Sequence, residues 1–89
     1  MLTKVLAAEA NCGTDAAGAS TFGSATVVRV VNSGTTNRLV TIIDEVGGST
    51  TIGSFTLVGS EVVFVEKKST EAIFAANASV KGSKVAYAN

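Results

Sequence analysis

Residues 51–76 read TIGSFTLVGSEVVFVEKKSTEAIFAA, two alternating runs of β-branched and aromatic residues that meet at Gly59-Ser60 and lead into a charged corner. A period of two sends successive side chains to opposite faces of an extended strand, whereas a helix needs a period near 3.6. The segment therefore predicts antiparallel strands. Gly53 shifts the spacing between Ile52 and Phe55 as a β-bulge would. Glu61 to Lys67 alternates cleanly, and a short turn over Lys68 to Glu71 leads to a further strand, Ala72 to Ala75.

The same grammar extends both ways. Ala25 to Asn32 and Arg38 to Asp44 are β-branched runs joined by a polar, Gly-containing loop, and they read as an antiparallel hairpin. In the first run Thr26, Val28 and Val30 share one face, while Ala25, Val27, Arg29 and Val31 share the other, with Arg29 marking the wetter side. Gly47-Gly48 ends the second run, and Ser83 to Ala88 supplies a last strand. The expected fold is all-β: a small antiparallel sandwich or barrel of about six strands over residues 24–89, preceded by an extended N-terminal arm over residues 1–23. Helix is confined to two candidates, Thr3 to Ala10 and one turn beginning at Ser69 or Thr70.

The arm differs in composition from the rest. Leu2, Val5 and Leu6 are followed by alanines and by the loose run Asp15 to Thr21, a pattern expected of a segment that orders on a neighbour or adds an edge strand to the sheet. Leu2, Val5, Leu6 and Phe22 are the expected subunit-contact residues. The apolar run Val5 to Ala8 is too short for a secretion signal and is followed by Glu9, and no apolar run approaches the roughly 20 residues of a membrane span.

A chain of 89 residues buries only about 60–65% of the surface its unfolded form exposes. Aromatics are 6% of the chain, so the expected core is made of small β-branched side chains, with Phe55, Phe64 and Phe74 as its bulk. Charged residues are 16%, below the roughly 25% usual for soluble domains. Mean hydropathy is +0.41. That balance points to surface reserved for other subunits. Lysine plus arginine and aspartate plus glutamate stand at seven each, so no net field draws the chain to nucleic acid or to an anionic membrane.

Chemistry is thinly represented. There is no histidine, and the one cysteine, Cys12, reads as a small packed hydrophobe. Asp44-Glu45 reads as a solvated corner, Ser69 beside Lys67 or Lys68 is the weak remnant of a nucleophile-base pair, and the lysines read as solvated rim. The expectation is a non-enzymatic protein with no catalytic, cofactor-binding or metal-binding residues.

The segments VVRVVNSG, LVTIID, GSFTLVGSEVVFVEKKSTEAIFAANASV and KVAYAN resemble small virion proteins of tailed bacteriophages, particularly marine ones, over most of Ser24 to Asn89. GSFTL followed by VEKKSTEAIFAA is the most recognisable part. The resemblance implies a capsid decoration or cement protein on the virion surface, made in the host cytoplasm. Its implied partners are the major capsid protein and copies of itself, as a homo-oligomer or particle-bound subunit. A tail or head-tail connector subunit is the alternative within that class, and a small carbohydrate- or host-surface-binding module is the alternative outside it.

Overall fold

The computed structural model describes residues 2–88, and these form eight strands in two sheets: β1 (Leu2–Val5), β2 (Ala10–Asn11), β3 (Val27–Asn32), β4 (Arg38–Ile43), β5 (Thr51–Leu57), β6 (Val62–Glu66), β7 (Ala72–Ala75) and β8 (Val80–Ala88). All pairings are antiparallel. The first sheet runs β1-β8-β3-β6, with β2 also on β8, and the second runs β5-β4-β7. The all-β sandwich is thus as expected, with two strands added from the N-terminal segment.

The expected hairpin of β3 with β4 does not form. β3 pairs with β6 and β8, while β4 pairs with β5 and β7. Residues 33–37 cross between sheets instead, because Val28 and Val30 on β3 and Val40 on β4 face one another as the two halves of the core, each fully buried. The alternation on β3 is as read from the sequence: Val28 and Val30 inward, Val27, Arg29 and Val31 outward and partly exposed. The bulge also falls where Gly53 placed it. Ile42 pairs with Gly53 but Ile43 pairs with Thr51, which leaves Ile52 without a direct partner on β4.

Thr3 to Ala10 is strand and loop, and the corner at Ser69-Thr70 is a turn. In that turn the Lys68 amide donates to Glu71 Oε1 at 2.8 Å and the Glu71 amide donates back to the Lys68 carbonyl at 3.0 Å. Alanines at 7, 8 and 10 favour helix in isolation, but pairing with β8 wins because it satisfies the backbone of a strand that would otherwise be an edge.

The core is built differently from the sequence expectation. Phe64 is 42% exposed, and Phe55 and Phe74 are only partly buried. Phe22 is the buried phenylalanine, 8% exposed and packed with Cys12, Val28, Val80 and Ile73 in one cluster. Because Cys12, Ala19 and Phe22 all lie in core clusters, residues 1–23 are not a separable arm. The boundary at 23/24 runs through a single packed unit.

Candidate functional site

Each sheet has two edges, and the N-terminal segment seals one edge of each. β1 and β2 lie along β8, with a two-residue register shift between Val5↔Val85 and Ala10↔Gly82 that lets Leu6 to Glu9 bulge. Glu9 in that bulge reaches Arg29 on the outer face of β3 at 3.7 Å. The chain then wraps β7: Ser20 and Ile73 exchange amide-to-carbonyl bonds at 3.0 and 2.9 Å, and the Ala75 amide donates to the Gly13 carbonyl at 3.1 Å. Ala16 and Ala19 finish beyond that edge against Ile43, Ala72 and Phe74 in a second small cluster.

The edges left over are the outer side of β1, and β5 and β6. Among the described residues each of these three strands pairs on one side only. Exposed strand edges normally carry charge, proline or a bulge that discourages further pairing. β5 has its bulge. β6 has no such guard before Glu66: it reads Val62-Val63-Phe64-Val65, in a chain without proline.

Most of the exposed large apolar residues lie on or beside these edges, whereas Leu39 on the central strand β4, Val46 in the β4–β5 turn and Tyr87 on β8 do not. Leu2 (73%), Val5 (65%) and Leu6 lie on or beside β1, Ile52 lies on β5, and Val62 and Phe64 lie on β6. All four β1 side chains are exposed, so the backbone ladder to β8 is what holds the strand. Three of the four expected contact residues are therefore presented to solvent, and Phe22 is not: a neighbour cannot reach it without opening the core. Phe64 and Tyr87 are both aromatic at the surface, their rings 6.0 Å apart at a 47° tilt. Phe64 was legible as an alternating β6 residue, but nothing in the alternation said which face was dry.

The groups read for chemistry are placed as follows. Cys12 is buried, its thiol donates to the Val80 carbonyl at 3.5 Å, and burial pushes its pKa up to about 11. Lys67, expected on the rim, is buried, with Nζ donating to the Ala25 carbonyl at 2.7 Å and the Lys68 carbonyl at 3.3 Å. Burial lowers its pKa, opposed by Glu71. Its hydrogen bonds thus go to the backbone carbonyls of Ala25 and Lys68. Asp44 Oδ1 accepts from the Thr50 amide at 3.4 Å and shapes the β4–β5 turn. Among the described residues no three His, Cys, Asp or Glu side chains gather as a metal site. A cleft of about 220 Å³ beside Phe22 and Gly23 has Lys84 on its wall, but that amine is engaged by the Gly23 carbonyl at 3.1 Å. The volume is below the roughly 300–1,000 Å³ of typical ligand sites.

The Cys12 geometry has a measurable consequence. An unfolded thiol ionises near pH 9 and the folded one near 11, so between these values the native state holds the extra proton. Its contribution to stability is intact below pH 9 and falls as pH rises toward 11, by about 3 kcal/mol at most. At pH 8 the thiol should react with an aromatic disulfide reagent orders of magnitude more slowly in native protein than in denaturant. Equal rates would contradict its placement in the core.

No known protein family, curated protein or solved structure matches this chain.

Proposed function

We propose that this chain is a non-enzymatic virion structural protein, a decoration or cement subunit that stabilises a tailed-phage head by bridging capsid subunits. The observation that carries the reading is β1, a strand attached by backbone pairing, with a free outer edge and exposed Leu2, Val5 and Leu6 beside it. Such an edge can add to a strand of a capsid subunit, where main-chain hydrogen bonds supply affinity and alternate side chains supply fit. A subunit that binds the assembled shell and not free capsid protein shifts the equilibrium toward the shell by mass action. The low charged fraction and the resemblance of most of Ser24 to Asn89 to small phage virion proteins support the same reading.

The test is the triple substitution Leu2→Ser, Val5→Ser, Leu6→Ser. These side chains lie outside the core, so each change should alter folding stability by no more than about 0.5 kcal/mol. Affinity for expanded shells should fall on the order of 100-fold or more, since each apolar side chain buried at an interface is worth about 1.5–3 kcal/mol. Unchanged occupancy on the particles would refute the role given to β1. Deletion of residues 1–23 is no substitute, because it removes Cys12, Ala19 and Phe22 from the core.

A further inference from the structure

We infer that the free edge of β6 is a self-association surface, on which a second copy of this chain pairs β6 to β6 about a two-fold axis through Phe64. β6 is an edge strand whose other side is fully engaged by β3, from Val27↔Glu66 to Val31↔Val62. Its open side is unguarded over Val62 to Val65, which in a soluble chain is a template for another strand.

The residue pattern is self-complementary in one antiparallel register. Centring the five-residue strand on Phe64 sets Val62 against the partner subunit's Glu66, Val63 against the partner's Val65, and Phe64 against the partner's Phe64. Apolar residues meet apolar residues on the inner side, and the one acid of each strand lies opposite valine rather than opposite the other acid. The chain carries no net charge, so two copies approach without long-range repulsion. On the outer face, where Phe64 lies opposite Arg29 of β3, Phe64 already packs with Tyr87 and both remain half-exposed. The two-fold joins two such aromatic pairs into one cluster.

The turn that leads into β6 is held firmly. β5 is also an edge strand, and the short connection Val58 to Glu61 keeps its end beside the start of β6. The Ser60 amide fixes that connection to the Asn32 carbonyl at 2.9 Å. An isologous contact of this kind closes on itself and yields a dimer rather than a fibre. Contact between copies is independent of where those copies reside.

Two measurements test it. Sedimentation equilibrium of the intact chain should give a monomer–dimer equilibrium, and Phe64→Lys should return the monomer while far-UV circular dichroism and the melting transition stay close to those of the parent. The register is tested by cysteine cross-linking with diamide. Directly opposed Cα atoms in an antiparallel pair lie about 4.5–5.5 Å apart, within disulfide reach. Phe64→Cys should therefore give a covalent dimer. Val62→Cys should not, because two copies of residue 62 would sit roughly 13 Å apart. A monomer at every concentration up to the millimolar range overturns the inference, as does equal cross-linking at positions 62 and 64. Monomeric protein in which oligosaccharides perturb Phe64 and Tyr87 would also overturn it and assign the face to sugar stacking.

Discussion

Phe22→Ala should lower folding stability by about 3–5 kcal/mol, the range for removing a buried aromatic side chain. A domain of this length has roughly 4–13 kcal/mol in total, so the variant should sit near the edge of folding. The site explains the size of the effect. Phe22, Gly23 and Ser24 take φ values of 53, 67 and 58°, a left-handed turn closed by the Ala25 amide donating to the Thr21 carbonyl at 3.1 Å. That conformation costs a non-glycine residue about 1–2 kcal/mol, and the turn persists because it drives the ring into the core. The ring fills the space above Gly82 so closely that a Cβ added there would come within 2.8 Å of it. Gly82 in turn pairs with Val30 on β3 and Ala10 on β2, so the ring sits where the N-terminal segment joins the sheet. Differential scanning calorimetry should show a melting temperature lower by at least about 12 °C, given roughly 4–8 °C per kcal/mol. A shift of only one or two degrees would mean that Phe22 is not a core residue.

Asn32→Ala should be comparably damaging, for a polar reason. Asn32 is fully buried at the end of β3, and its amide uses four hydrogen bonds. Nδ2 donates to the carbonyls of Thr36 at 2.7 Å and Leu57 at 3.1 Å, while Oδ1 accepts from the Gly34 amide at 3.0 Å and the Ser79 hydroxyl at 3.3 Å. One side chain thereby ties three inter-sheet connections: β3 to β4, β5 to β6 and β7 to β8. Removing it strands the buried Leu57 carbonyl and loosens two loops, at about 1–3 kcal/mol for each buried group left unpaired. Asn32→Asp should be worse than Asn32→Ala, because a carboxylate would replace the donating Nδ2 and face two carbonyl oxygens. Denaturant melts of the three proteins check the order. An aspartate variant as stable as the parent would contradict the network.

Much of the first sheet could be read from alternation, and the reasons for the misses are physical. Val28 and Val30 were placed correctly because β3 has one dry face and one wet face, the condition under which a two-residue period is informative. The partner of β3 could not be read that way. Two consecutive β-runs with a polar loop fit a hairpin or a crossing between sheets equally, and core closure decided for the crossing. Phe22 was missed because Thr-Phe-Gly-Ser looks like a loose turn, and a left-handed turn that delivers its aromatic to the core has no periodic signature. Lys67 was missed because a charged residue at a strand end reads as rim. Here its stem is buried and its ammonium is spent on two backbone carbonyls. Leu2, Val5 and Leu6 were legible as exposed contact candidates because they are apolar and precede a glycine- and alanine-rich stretch. The free edge of β6 was not legible, since which strands become edges is a property of topology.

The proposed role is tested most directly by a cryo-EM reconstruction of virions purified from the source of this chain. Icosahedrally repeated density of this sandwich on the outer shell is expected, with β1 lying against a strand of a capsid subunit. Density confined to the tail or the unique vertex, or none attributable to this chain, would contradict it.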